Sequence, residues 1–304
     1  MNMTVTDFTD TVPIAARLAT GGSPPPAVHP QALLELPPGE ARESLLAVHD
    51  ILGSELPPAG LRIYEAGGGS TSFLPLQVLR RAHVTVVDID EDQVRNNDYA
   101  QETILGDVQT WRFPPGSFDL VICYNVIEHL PDVEAALSGF CGSLKQDGLI
   151  LIGAPNPRSL SGVVTKYSPH WFHVWFYRYV RGKKKAGQPG EAPFPTFFHP
   201  LVTLSNLEAF AKTHGLQVIY RREYESPRFP EMRARIPVLA SLLDAFAVAM
   251  NFLLPANVDA RHGDYHVILR KRRNERDAVH SQSQSQPSAG DAFARRPLPR
   301  QACA

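Results

Sequence analysis

The sequence predicts an α/β fold: a doubly wound, mostly parallel sheet with helices on both faces. Three observations carry this. Short unbroken apolar runs recur between residues 61 and 153 and read as strands buried on both sides. Segments with helical spacing fill the intervals, so strand and helix alternate. The first apolar run ends at Glu65-Ala66 and passes directly into Gly67-Gly68-Gly69. Such a turn tolerates positive φ and lets backbone N–H groups approach a ligand with no Cβ in the way.

Taken in order, residues 1–39 hold Gly21-Gly22-Ser23-Pro24-Pro25-Pro26 and read as a flexible arm. The methyl-rich face of Leu45, Val48 and Leu52 predicts a helix over Glu40–Leu56, ended by Pro57-Pro58. Leu61–Ala66 is the first strand and Phe73–Arg81 a helix. Val84–Val87 is the second strand and Glu91–Ala100 a helix. Glu102–Leu105 is a weaker strand, Phe118–Tyr124 the fourth, Asp132–Leu144 a helix and Leu149–Gly153 the fifth strand. The alternation then stops. Residues 155–200 are rich in aromatics, histidine and proline. A helix over Leu204–His214, capped by Gly215, leads to a strand over Leu216–Tyr224. A second excursion, 225–263, contains the apolar stretch Ile236–Pro255, and Tyr265–Leu269 is the last strand. One domain therefore spans 40–273, with insertions at 155–200 and 225–263. The Ser-Gln tract in 274–304 marks a disordered tail.

Composition narrows the function classes. A net charge of −1 supplies no global field toward nucleic acid. Cys123, Cys141 and Cys303 lack CxxC or paired spacing, which argues against a disulfide framework or zinc site and suits a reducing cytoplasm. Asp7 and Asp10 interrupt the N-terminus, so no signal peptide is expected. Pro237, Asp244 and Asn251 make Ile236–Pro255 a poor membrane span; a buried, lid or interfacial helix fits it better.

The chemistry-bearing residues sit at strand ends. A dinucleotide fingerprint needs G-x-G-x-x-G; Gly67 and Gly69 fit, but Ser72 occupies the last position. Glu65 would repel a pyrophosphate and would suit an ammonium. Asp88 ends Val84–Val87, 21 residues after Gly67, where an acid can bond a ribose diol. It could equally cap the next helix, although Asp90 is better placed for that. Asp107 follows the third strand and reads as an adenine contact or as a turn aspartate.

Together E-A-G-G-G-S, V-V-D-I-D, G-D-V, F-D-L-V and V-I-E-H-L, over residues 40–224 and the last strand, resemble class I S-adenosylmethionine-dependent methyltransferases. Within them they are similar to the type 11 small-molecule group, which includes ubiquinone-biosynthetic O-methyltransferases. The resemblance implies a Rossmann-like seven-stranded sheet whose last strand is antiparallel, with helical lids inserted. It implies S-adenosyl-L-methionine as cofactor. Glu65 would hold the methionine ammonium, Gly67 and Gly69 would pass beneath the cofactor, and Asp88 would take the ribose hydroxyls. Ile89 would lie against adenine, Asp107 with Val108 would read its edge, and Tyr124 would line the pocket. Candidate bases are His129, His170 and His173, each of which could instead be a packing residue. Glu128-His129 resembles half of a metal set found in small-RNA 2′-O-methyltransferases. Asn125 replaces the carboxylate that set requires, so no metal is expected.

The aromatic content of the insertions (Trp171, Phe172, Trp175, Phe176, Tyr177, Phe194, Phe197 and Phe198) suggests a small apolar or aromatic acceptor, or else plain lid packing. For the methyltransferase that the resemblance implies, O-methylation is the reaction expected first. A non-catalytic cofactor-binding protein and a membrane-associated quinone or lipid methyltransferase are the alternatives. Arg181-Gly182-Lys183-Lys184-Lys185 reads as a solvated run or a weak membrane-surface contact.

Overall fold

The computed structural model describes residues 36–159, 162, 168–179, 182, 184–188, 196–197, 199–235, 237–253 and 261–272. The predicted arm up to residue 35, the tail from 273, and Phe194 and Phe198 lie outside them. Seven strands form one sheet: β1 (Leu61–Ala66), β2 (Ala82–Asp88), β3 (Glu102–Leu105), β4 (Phe118–Tyr124), β5 (Leu144–Pro155), β6 (Leu216–Tyr224) and β7 (Asp264–Lys271). Their order is β3-β2-β1-β4-β5-β7-β6. The first five are parallel, and β7 runs antiparallel to both β5 and β6. This is the mixed, mostly parallel seven-stranded sheet expected of the class I methyltransferase fold.

Alternation along each strand splits the core into two layers. Ile63, Val84, Val86, Leu120 and Leu151 face α1 (Glu40–Glu55) and α2 (Leu76–Leu79), which contribute Leu45, Val48, Leu52 and Val78. Tyr64, Val121, Ile150 and Val267 face α4 (Val133–Ser143) and α6 (Leu204–Thr213), which contribute Leu137, Phe140, Leu207 and Phe210. Both faces of the central strands are buried in apolar side chains, which explains why the strands lack polar alternation. Truncating the buried Phe140 to alanine would cost about 3–5 kcal/mol.

Two predicted helices are shorter in the structure. The segment 73–81 is helical only over α2, because Pro75 lacks an amide hydrogen and drives Leu74 out of the helical region. The segment 91–100 stops after α3 (Glu91–Arg95). There the Asn97 side chain accepts the amides of Tyr99 and Ala100 and builds a turn instead. Strands β5 and β7 are longer than their apolar runs, since their ends are held by backbone pairing, Pro155 opposite Asp264 and Leu149 opposite Arg270.

The two insertions carry α5 (His170–Tyr179) and the pair α7 (Arg228–Arg235) and α8 (Pro237–Leu253). Among the described residues no helix is long and apolar enough to cross a membrane.

Candidate functional site

Strand order reverses between β1 and β4, and an open sheet has a crevice at that point, beyond its carboxyl ends. A cavity of about 230 Å³ lies there. Its walls are Glu65 and the glycine turn from β1, Phe73, Gln93, and Ile122, Tyr124 and Asn125 from β4. The three acids named from the sequence sit along the same edge. Glu65 is the penultimate residue of β1, Asp88 ends β2, and Asp107 follows β3 by two residues.

Each acid has defined partners. Glu65 is buried, with Ser72 Oγ donating to Oε1 at 2.6 Å and Tyr99 Oη donating to Oε2 at 2.6 Å. Burial raises its pKa to about 7, against the pull of those two hydrogen bonds. Tyr99 is in turn held protonated, first by its own burial and then by the charge of Glu65. Asp88 accepts from the amide of Gly69 at 3.0 Å and from that of Asp90 at 2.9 Å. The predicted cap of α3 falls to Asp90, which accepts from Asp92 and Gln93. Asp107 accepts from both the amide and the side chain of Gln109, so it does serve as a turn aspartate.

The glycine turn is a cradle with no room for side chains. Gly67 has φ +67°, and a Cβ there would lie 2.4 Å from Val126 Cγ2. A Cβ on Gly68 would lie 2.8 Å from Tyr99 Oη. Four side chains from β2 to β3 hold the turn in place. Gln93 accepts from Ser70, Asn97 donates to the Gly69 carbonyl, Tyr99 Oη lies 3.2 Å from the Gly68 carbonyl, and Asp88 accepts from Gly69. Sequence spacing named only Asp88 of these four. Ile89 projects into solvent beside this edge, 73% exposed, whereas Val108 is buried.

Tyr124 closes the cavity from β4. Its ring lies 4.0 Å from that of Phe73, and Gly153 leaves the space it fills, since a Cβ there would lie 2.2 Å from Tyr124 Cδ2. Behind it is a buried polar group with no sequence signal. His266 Nε2 lies 2.9 Å from Tyr224 Oη and 3.4 Å from Tyr124 Oη, while Nδ1 lies 2.8 Å from Ser44 Oγ. Burial, reinforced by His49, lowers the His266 pKa to about 3, so the ring is neutral. Asn125 follows with φ +54° and its amide on the Gly153 carbonyl, which turns the chain toward the cavity mouth.

None of the three candidate bases lines this cavity. His129 is half-buried on a single 3₁₀ turn (Ile127–His129), with Nε2 3.7 Å from Glu128. His170 is exposed at the start of α5. His173 bonds Ser168 through Nε2.

Residues 64–152 match the family model described as a methyltransferase domain. No curated protein matches the chain. Among solved structures, phosphoethanolamine N-methyltransferase 2 from Haemonchus contortus is 19% identical, covering 78% of this chain and 54% of that one, with a TM-score of 0.47. A putative sarcosine dimethylglycine methyltransferase from Galdieria sulphuraria is 14% identical, with 77% and 85% coverage and a TM-score of 0.47. The YcgJ protein from Bacillus subtilis is 17% identical, with 76% and 99% coverage and a TM-score of 0.46. Likeness at this level carries no argument about substrate. Residues 64–152 are a methyltransferase domain, and S-adenosylmethionine is the cofactor that its acids and glycine turn fit. The match does not single out the ubiquinone-biosynthetic group.

Proposed function

Starting from a methyltransferase domain over residues 64–152, we propose that the chain transfers the methyl group of S-adenosylmethionine to a small apolar or aromatic molecule, with oxygen as the first acceptor atom. The observation that supports this is Glu65 in the wall of the crevice between β1 and β4, with Asp88 and Asp107 farther along the same sheet edge, at the ends of β2 and β3. Glu65 is a buried acid whose partners among the described residues are two hydroxyls, so it suits the ammonium of the cofactor. Asp88 takes the ribose hydroxyls, the exposed Ile89 covers one face of adenine, and Asp107 with Val108 reads its edge. Gly67 and Gly69 pass beneath the cofactor, and Tyr124 walls the cavity.

The bound cofactor supplies an electrophilic methyl on a positively charged sulfur. The protein aligns the acceptor lone pair with the carbon–sulfur bond and keeps water out. An acceptor hydroxyl must also lose its proton. His129, His170 and His173 remain the candidates to receive it; glutamine at each in turn separates them by their effect on kcat.

Two measurements test the reading. Calorimetry with S-adenosylhomocysteine is expected to show binding that Asp88→Ala weakens about tenfold or more, the loss of a charged hydrogen bond. Label from methyl-radioactive cofactor is expected to enter a small-molecule extract. Binding without transfer to any extract would favour the non-catalytic alternative; absence of binding would end both.

A further inference from the structure

The two insertions leave the sheet side by side at the edge that holds the cavity. The first departs after Pro155 on β5. The second departs after Tyr224 on β6 and returns at Asp264 on β7, which pairs with both. Asn156 ties their bases together, its amide on the Gly263 carbonyl at 2.7 Å.

These insertions carry most of the exposed apolar surface. Of the twelve large exposed hydrophobic side chains among the described residues, eight lie here. On α5, Trp171, Trp175 and Tyr179 recur every fourth residue and so share one face. On α8, Val238, Leu242 and Phe246 repeat the same spacing. The only ionisable side chain of α8, Asp244, is neutralised: Arg233 of α7 donates to its two oxygens at 2.7 and 3.1 Å.

Charge sorts in the same way. From Asn156 to Gly190 the sequence has seven lysines and arginines and no acid, in a chain whose net charge is −1. The structure folds part of this run back onto the aromatic helix. Arg178 Nε donates to the Ala186 carbonyl at 2.9 Å, and Gly187 packs so closely on α5 that a Cβ would lie 2.8 Å from Val174. Lys184 and Lys185, both exposed, belong to this returning segment.

We infer that α5 with its returning lysine segment, and α8, dock the protein on an anionic lipid bilayer, with the cavity edge facing the membrane. Interfacial tryptophan and tyrosine, cations and an apolar helix face are the chemistry of that boundary. At 17 residues α8 extends about 25 Å, short of the roughly 30 Å hydrocarbon core, so it lies in the plane of the bilayer. A second copy is a poor occupant, because a two-fold interface would set the basic segment against its own mate. Nucleic acid would satisfy the lysines and the aromatic stripe but leave the aliphatic face of α8 in water. The inference deepens the proposed methyl transfer, since it makes the bilayer the source of an apolar acceptor; for that consequence it rests on the proposal.

The test is co-sedimentation of the full chain with phosphatidylcholine vesicles, with and without phosphatidylglycerol. Binding is expected only with phosphatidylglycerol, and it should weaken as salt is added. Lys184→Gln and Lys185→Gln should each lower partitioning about fivefold. Leu242→Glu with Phe246→Glu should abolish it, while S-adenosylhomocysteine binding in the same samples shows that each variant is folded. Failure to sediment, equal binding to both vesicle types, or insensitivity to these substitutions overturns the inference. So does retention of a single-stranded RNA oligonucleotide, or dimerisation in light scattering, by a chain that leaves vesicles unbound. Sedimentation reads no methyl transfer, so failure here leaves the proposed activity to its own tests.

Discussion

Glutamine in place of Glu65 should remove a specific pH dependence. The folded pKa of Glu65 is raised from 4.5 to about 7 by burial. At about 1.4 kcal/mol per pKa unit, the ionised side chain costs the cofactor-free fold about 3 kcal/mol relative to the unfolded chain. The sign follows from proton linkage. Below the unfolded value both states hold the proton and the contribution is fully present; it declines as pH rises and is lost above about 7. His266 acts in the other direction. Its pKa is depressed to about 3, so its contribution is present above 6.5 and lost as pH falls. The informative quantity is therefore the difference between wild type and Glu65→Gln in urea midpoint at pH 5 and pH 8. The variant should gain about 2.5 kcal/mol on wild type across that interval, since pH 5 already lies above the unfolded value. Binding of S-adenosylhomocysteine should move the opposite way, because its ammonium needs the ionised form. Wild-type affinity should fall about tenfold between pH 8 and pH 6, and the variant should be flat. Parallel stability profiles, or a wild-type affinity that ignores pH, would refute the assignment of Glu65 as the cation-binding acid.

Other outcomes follow from single contacts. Gly67→Ala meets both a positive φ and Val126, so it should lose about 2–4 kcal/mol in denaturant unfolding; adding Val126→Ala should restore only the packing part. His266→Leu leaves the hydroxyls of Ser44 and Tyr224 without their ring partner and should cost about 1–3 kcal/mol in the same assay. Arg233→Met takes the guanidinium from Asp244 and also from Glu225, which Arg233 reaches at 2.6 and 2.8 Å, and leaves Glu225 only the longer approach of Arg261 at 4.0 Å. Its expected effect is faster proteolysis within α7 and α8 with the global unfolding midpoint little changed.

The sheet could be read in advance because its strands are buried on both faces, and a run such as Val84–Val87 is apolar for that reason alone. Helix lengths were less legible. Apolar spacing begins before Pro75 and runs up to Ala100, but a missing amide hydrogen decides where one helix starts and an asparagine side chain decides where the other stops. The candidate residues at strand ends, Glu65 and Asp88, carried a spacing signal. Tyr99, Gln93 and Asn97 did not, since they reach the glycine turn from 23 to 31 residues away along the chain. His266 and Ser44 are 222 residues apart, and no local pattern announces such a pair.

Because Gln93, Asn97, Tyr99 and Asp88 already clamp the loop between β1 and α2, its shape does not wait for a ligand. Ordering entropy has been spent during folding, so the cofactor meets a finished mould. Backbone amides of Gly69 and Ser70 should then exchange slowly with deuterium before S-adenosylhomocysteine is added, and little more slowly afterwards.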